Sequence, residues 1–504
     1  MADVRRKIIY TAEPFITKDN VLDVLREALP KHQFNANRIK FLFDFEGGNQ
    51  PLIRHKQYRP EIDIHAVDNV AHQATKFHVG YEWGNPITLV QRGNESNTDI
   101  TEALSELNWM YECEGIKTKT QRLGKDVTVC DLGYTHIGIN KEWQLDDSYF
   151  TMNVLSPYTT FLIKSSYYID HRVMMGVTYM VDDMHVKHFT CYTKDTRYDI
   201  TEDKIVYAET NPLGRVPIIE WIGNYDGMGI WEHEISEMDN LNLMISDFSN
   251  NVEQNMQAIW HTNDIEFDVE VTTDEDGNET ETTIKPSNGD FFQTFTLPDG
   301  KTPIIEPLTI NHDYASQLNN INARRSLILE KCYVPQRTDG TNSTGVAQDV
   351  ASGYSSLDIV AESIQACQEA AKMEEVKCVL AAIRVSTDVP PDSPLLKLRV
   401  KDIQPSVKRE RLSELATKVN AFATLVSHGI YGLDALQVIN AFPDTNQTWE
   451  NSREGIEAYQ MSVFGENTDS QNEAVGGMGE KEPDASRIMT DLSDQVENTP
   501  LLVT

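Results

Sequence analysis

The chain has 504 residues, with 44 Lys and Arg against 78 Asp and Glu, a formal charge of −34, and 40% hydrophobic residues. A surface this acidic repels nucleic acid at long range, which excludes a tight sequence-specific DNA binder but not a conduit that must let DNA slide. The length suits two to four domains; MADVRRKIIYTAEPF lacks the continuous apolar core of a signal peptide and no run approaches the roughly 18 apolar residues of a membrane span, so a soluble protein, cytosolic at synthesis, is expected.

Residues 19–29 predict a short helix, and 37–110 a mixture of helix and strand. From 125 to 222 the chain is strand-rich: VTVCDLGYTHIGI, FTMNVLS, FLIKSSYYI, VMMGVTYMV, HFTCYT and KIVYAET are β-branched or aromatic with polar breaks. GRVPIIEW (Gly214–Trp221) closes this region as a Pro-marked strand, and residues 224–229 form a Gly-rich turn. Then Ile235, Met238, Leu241, Ile245, Phe248, Val252, Met256 and Ile259 step by three or four, which predicts an amphipathic helix of roughly eight turns.

The texture changes next. Ile265, Phe267, Val269 and Val271 alternate with Asp264, Glu266, Asp268 and Glu270, so one face of a strand carries four acids. Asp276-Gly277 is a hairpin dipeptide, residues 279–285 suit a return strand, and further short strands follow over 291–308. Ile310, Tyr314, Leu318, Ile321 and Ile328 share a face of a second helix, which carries Arg324, Arg325 and Lys331 and ends near Pro335.

The stretch TDGTNSTG (Thr338–Gly345) has no apolar residue and cannot bury itself, so it sits in solvent or lines a cavity. Val350, Leu357, Ile364, Ala371 and Cys378 then recur at heptad spacing and predict one helix of about 35 to 40 residues. Pro390, Pro391 and Pro394 break the chain, Leu396–Val400 reads as a short strand, and 408–428, 432–441 and 446–464 read as helices. From Gly465 onward nine acids and two bases accompany few apolar residues, the composition of a disordered tail. No repeat of 20 to 50 residues is present. The fold class is α+β.

Motifs for catalysis are incomplete. Gly300-Lys301-Thr302 ends like a phosphate loop, but Phe295 stands where its first Gly belongs and Pro303 where its helix starts. His233-Glu234 opens like a zinc-protease helix, but Glu237 replaces the second His. Residues 274–278 lack the ligand offsets of a calcium loop. The six cysteines include no CxxC pair and read as free thiols, with Cys367 and Cys378 on the apolar side of the long helix. No metal, cofactor or catalytic residue is expected. Arg324 and Arg325 fit either a solvated or inter-subunit ion-paired face or a positive ring along a nucleic-acid path.

The order of these parts resembles the portal proteins, or head–tail connectors, of long-tailed bacteriophages, in the group typical of phages of Gram-positive hosts. Residues 69–89, NVAHQATKFHVGYEWGNPITL, are similar to that family's helix ending in a G-x-P turn, with 81–84 as extra residues before Asn85-Pro86. The resemblance covers 37–460. It implies a strand-rich N-terminal wing (1–228), a first stem helix (229–260), a small β clip (261–309), a second stem helix (310–335), a tunnel loop (336–345), a long wing helix (346–395), a wing strand with a helical crown (396–464), and the acidic tail (465–504). It further implies a homo-oligomeric ring, usually twelve-fold, at one capsid vertex of the virion, assembled in the host cytoplasm, through which double-stranded DNA is packaged and ejected. Arg337, Thr338, Asp339, Gly340, Thr341, Asn342, Ser343, Thr344 and Gly345 would be the tunnel loop, and Arg324, Arg325 and Lys331 would line the stem. Asp264, Glu266, Asp268, Glu270, Asp274 and Asp276 would meet the terminase large subunit and the head–tail adaptor. Major capsid and scaffolding proteins are the other implied partners, and no membrane is. The alternatives are another phage head or adaptor structural protein, or a cytosolic enzyme using scattered carboxylates.

Overall fold

The computed structural model describes residues 6–52, 63–93, 98–142, 144, 147–201, 204–256, 259–263, 269–273, 279–283, 304–308, 313–336, 354–409, 412–439, 448–449 and 451–456. The chain forms two compact units, Met1–Glu410 and Arg411–Thr504. The first unit opens with β1 (Ile9–Thr11), α1 (Val21–Glu46), α2 (Val70–Glu82), β2 (Thr88–Gln91), α3 (Thr98–Cys113) and α4 (Ile116–Cys130). Seven strands then follow: β3 (Gly133–Ile139), β4 (Phe150–Leu155), β5 (Thr160–Ser165), β6 (Val173–Val181), β7 (Lys187–Thr193), β8 (Thr196–Thr201) and β9 (Lys204–Thr210). After β10 (Ile218–Trp221) come α5 (Ile235–Met256), β11 (Ile259–Asn263), β12 (Val269–Thr273), β13 (Glu279–Thr283), β14 (Ile304–Leu308), α6 (Tyr314–Lys331), α7 (Tyr354–Val385) and β15 (Ile403–Ser406). The second unit holds α8 (Leu412–Ser427) and α9 (Gly432–Ile439), where Leu433 and Leu436 pack on Trp449. Among the described residues no helix is long and apolar enough to cross a membrane.

The strand-rich stretch divides into two sheets. The larger runs β1-β5-β6-β7-β8-β9, with β1 parallel to β5 and the remaining pairs antiparallel. Side-chain alternation turns Ile163, Met175, Val177, Cys191 and Ile200 inward, where they meet Val21, Val24, Leu25 and Ala28 of α1. The smaller sheet, β10-β3-β4, lies in the largest core with residues of α3, α4 and α7. Strand β15 pairs with β2. Between α5 and α6, β11 pairs with β14 and β12 with β13.

Several sequence readings need correction. The helix expected over 19–29 continues through Pro30 to Glu46. An internal proline costs about 3 kcal/mol, but the extension buries Ile39, Leu42 and Phe45 in a second core, at roughly 1.5–3 kcal/mol each. The run Val127–Cys130, read as strand, is the last turn of α4; all four residues are buried, and periodicity cannot separate a fully buried helix end from a strand. That helix stops at Asp131, whose φ is 54°. Residues 396–400 are not a strand either. Leu395 is buried in one tight 3-10 turn and Leu398 just after it, a second such turn spans Val400–Asp402, and the strand lies just beyond, at β15. The first long helix ends at Met256 rather than 260, since Ile259 and Trp260 pair with β14. The long helix α7 is seen from Tyr354; 346–353 lie outside the described residues.

Inside the largest core α7 carries an ion pair. Lys372 Nζ lies 2.6 Å from Glu375 Oε1, with the two side chains 2% and 0% exposed. The other Glu375 oxygen accepts from Thr135 Oγ1 at 3.1 Å, and Thr135 Oγ1 accepts from Trp221 Nε1 at 3.0 Å. The Lys372 ammonium sits 3.6 Å from the centre of the Tyr111 ring. Burial pulls the Lys372 pKa down, and Glu375 opposes it. Removing one partner strands the other charge, so Lys372→Met alone should destabilise by about 3–5 kcal/mol, and the double variant with Glu375→Leu by clearly less. Thermal unfolding of the two variants side by side checks this; a double variant that is the worse of the two contradicts it.

Candidate functional site

The helix pair α5/α6 grows from a buried charge cluster. The chain reaches α5 through Gly229, where an added Cβ would lie 2.1 Å from the Val129 carbonyl oxygen; only glycine fits this approach. Three residues on, the Glu232 carboxylate is fully buried. Its Oε2 accepts from Arg6 Nη1 and Nη2, both at 2.8 Å, and from the Gly229 N–H at 2.9 Å. Its Oε1 accepts from Arg38 Nε at 2.9 Å. Trp231 beside it is buried and donates from Nε1 to Thr75 Oγ1 at 2.9 Å.

A polar stripe then fastens α5 along its length. Asn242, Ser246 and Asn250, four residues apart, are all buried. Asn242 Oδ1 accepts from the Asp68 N–H at 2.9 Å, Ser246 Oγ from Ala66 at 3.0 Å, and Asn250 Oδ1 from Ile64 at 2.8 Å. Asn242 Nδ2 also donates to Gln50 Oε1 at 2.6 Å. The sequence reading took the apolar side as the packed face of this helix and left these three residues unassigned. Their i, i+4, i+8 spacing was the available signal.

The three bases of α6 are each paired with groups of the same chain. Arg324 Nη1 meets Glu237 Oε2 at 2.7 Å, and Lys331 Nζ meets Glu234 Oε2 at 2.9 Å. Arg325 Nε meets Asp68 Oδ2 at 2.7 Å, and its Nη2 donates to Gln73 Oε1 at 2.6 Å. They join α6 to α5, to the turn ahead of α5, and to α2 with its leading segment. At the far end of α6, His78 of α2 is hydrogen-bonded to the Cys332 carbonyl at 2.7 Å. Arg337, Thr338, Asp339, Gly340, Thr341, Asn342, Ser343, Thr344 and Gly345 lie outside the described residues, as do Asp264, Glu266, Asp268, Asp274 and Asp276. Glu270 is described in β12, opposite Thr282.

Catalytic groups do not converge among the described residues. No group of three or more His, Cys, Asp or Glu there could hold a metal ion. A cleft of about 310 Å³ is lined by His136, Lys141, Tyr192 and Arg197 among others, but Arg197 is engaged by Asp199 at 3.0 Å and Glu209 at 3.2 Å. Burial, then the neighbouring Arg197, lowers His136 to a pKa of about 4. Cys130, Cys191, Cys332, Cys367 and Cys378 are buried free thiols, and Cys113 is an exposed one.

Comparison with known proteins gives a family match over residues 55–436, to "Phage portal protein, SPP1 Gp6-like". No curated protein matches the chain. Among solved structures, the chain is similar to one titled "Neck of empty GTA particle computed with C6 symmetry", at 11% identity and a TM-score of 0.41, covering 79% of this chain and 96% of that one. It is also similar to a chain from "Virion of native gene transfer agent (GTA) particle", at 11% identity and a TM-score of 0.38, covering 80% and 94%.

The cluster at the root of α5 has a pH signature through Asp131. This residue is 2% exposed, and its Oδ1 accepts from the Gly223 and Asn224 N–H groups at 2.8 and 2.9 Å. Burial pushes its carboxyl up from 3.8 to about 7, although those two N–H groups and Arg6 pull the other way. A raised acid favours the protonated folded form, so its contribution is greatest at low pH, declines as pH climbs from 3.8 to about 7, and is flat above. Asp131→Asn keeps the acceptor and tolerates the left-handed backbone without the buried charge. It should unfold at a higher temperature than the wild type at pH 8, with the gap closing toward pH 4. A variant less stable than wild type at pH 8 rules out this account of the carboxylate.

Proposed function

The chain belongs to the SPP1 Gp6-like family of phage portal proteins, and we propose that it assembles into a ring at one vertex of the capsid, through whose central channel double-stranded DNA is packaged and later ejected. The observation that carries this is the family match over 55–436, which takes in both long helices, the strand pairs between them, and α7. The family is structural. The energy for moving DNA would come from a separate ATPase, in keeping with the incomplete phosphate loop at Gly300-Lys301-Thr302.

In this reading α5 and α6 are the stem, 261–309 the clip, 336–345 the tunnel loop, α7 the wing helix, and 396–464 the wing strand and crown. The clip, with Asp264, Glu266, Asp268, Glu270, Asp274 and Asp276, docks the terminase large subunit and then the head–tail adaptor. Capsid and scaffolding proteins are met elsewhere on the ring. Asn342, Ser343 and Thr344 donate hydrogen bonds to phosphates without a fixed charge, and Gly340 and Gly345 act as hinges. A loop of that chemistry touches DNA weakly. Arg324, Arg325 and Lys331 keep their place near the lumen, but their pairing with acids of the same chain means that they add little net positive charge there. Lumen contacts then steady the DNA without gripping it.

Light scattering on a sizing column, followed by particle averaging in the electron microscope, tests the ring. A closed ring of about twelve subunits with a central hole is expected. A protein that stays a monomer or dimer at high concentration, and also with its capsid partner present, sinks the proposal. Deleting 337–345 should leave the ring intact and abolish packaging or retention of DNA in particles; full packaging by that variant would remove the loop from the channel role.

A further inference from the structure

The far end of α6 is held by a buried histidine. His78 Nδ1 lies 2.9 Å from Glu82 Oε1, and its Nε2 2.7 Å from the carbonyl oxygen of Cys332. Both partners are acceptors, so only the imidazolium, with an N–H on each nitrogen, satisfies both at once. Neutral histidine has one N–H, and its other nitrogen would turn a lone pair toward an acceptor in a site closed to water. The electrostatics agree with the geometry. Burial disfavours the charge, but Glu82 and the carbonyl of Cys332 outweigh it and hold the His78 pKa above its ordinary 6.5. A cation also suits the C-terminal end of a helix.

Three helices meet here. Helix α6 is closed by Cys332 and then Tyr333 in the left-handed region at φ 58°; the Tyr333 N–H donates to the Glu330 carbonyl at 2.9 Å, and the Val334 N–H to Leu329 at 2.9 Å. A tyrosine in that conformation is strained by about 1–2 kcal/mol, so neighbouring contacts must hold the turn. Cys332 and Val334 are buried, and His78 takes the carbonyl between them. From α7, Gln368 Nε2 donates to the backbone carbonyl of Glu82 at 3.3 Å. The other charged or titratable neighbours are Lys331, paired with Glu234 at 2.9 Å, the Cys332 thiol, which burial pushes up to about 12, and Tyr81, which donates to Asp358 of α7 at 2.6 Å.

We propose that His78 is a proton-dependent lock on the last turn of α6, and so on the point from which residues 337–353 leave and, through Glu82 and Gln368, the helix to which they return. The lock is closed as imidazolium and loosens when the proton leaves. That these residues include the channel loop rests on the function proposed above; the lock itself does not. Because the folded pKa lies above the unfolded 6.5, the stabilisation is fully present below pH 6.5 and is lost as pH rises to the folded value. Between those two points, opening of the turn becomes about tenfold easier per pH unit, and it is level on either side.

Hydrogen–deuterium exchange on the full chain in its purified assembly tests this, read at the amides of Cys332, Tyr333 and Val334 from pH 5.5 to 9 and corrected for the chemical exchange rate. Wild type should show the sloped window at these amides and not at those of α3. Glu82→Gln keeps the shape of the site without the carboxylate, and should narrow the window from its upper end or reverse its slope, since the Cys332 carbonyl alone then opposes burial. His78→Gln should abolish the window. If that variant does not assemble, the wild-type and Glu82→Gln profiles decide. A level wild-type profile, the same slope in α3, or a window unchanged by Glu82→Gln overturns the lock while leaving a ring seen by microscopy untouched. A protein that never forms rings but keeps the sloped window at Tyr333 overturns the channel and not the lock.

Discussion

A carboxylate with no access to water is intolerable unless donors surround it, and Glu232 sets that condition for the helix pair α5/α6. Its oxygens are taken by Arg6, Arg38 and the Gly229 N–H. The constraint reaches across the chain: 226 residues separate Arg6 from Glu232, and 194 separate Arg38 from it. The N-terminal segment, α1 and the root of α5 must all be in place before the charge is satisfied. Such a cluster contributes little net stability over an apolar core, but its geometry leaves few alternatives. Asp131, within reach of both Arg6 and Glu232, brings the end of α4 into the same neighbourhood. The root of α5 is fixed at this site, and the stripe of Asn242, Ser246 and Asn250 holds the rest of the helix.

The excess of acid over base shapes the rest. With 44 bases against 78 acids, a Lys or Arg readily finds a carboxylate, and several of the pairs found join elements. Arg324, Arg325 and Lys331 tie α6 to its surroundings; Lys372 is shut into the core; Arg197 bridges Asp199 and Glu209. Under the channel reading, this leaves uncharged donors as the natural contacts for DNA, a different strategy from the basic clefts of proteins that hold nucleic acid tightly.

Strands were legible where β-branched and aromatic residues clustered between polar breaks. VMMGVTYMV and KIVYAET are β6 and β9 residue for residue, because β-branched and aromatic residues favour the pleated chain. The two long helices, β12 and β13 were legible from their periods, to within a few residues at their ends, but β11 was not, because Ile259 continues the helical spacing of α5. Reading failed where burial was complete or tertiary contacts paid the local cost. Val127–Cys130 is buried on all sides and carries no period to read. Pro30 is a stop signal overridden by Ile39, Leu42 and Phe45, whose core only forms in three dimensions. Of the candidate site, the sequence exposed the basic residues of α6 but not their partners, since Glu237, Glu234 and Asp68 come from other elements. Glu232, His78 and the stripe of Asn242, Ser246 and Asn250 were missed, because a buried polar residue looks like a surface one until its donors and acceptors are known.

Helix α1 spans two cores, one beneath the six-stranded sheet and one around the root of α5. It is therefore a strut. A push or twist applied at Glu232 passes through Arg38 into a helical rod and arrives at Val21–Ala28 against the sheet. The rod has one compliant place: Pro30 has no N–H to donate, so bending there breaks one bond fewer than anywhere else in the helix. It falls after Val21–Ala28 and ahead of Ile39, Leu42 and Phe45, with His32 just beyond it still stacked on Phe161 of the sheet. Torque arriving through Arg38 would flex the helix at that joint before it reached Val21–Ala28.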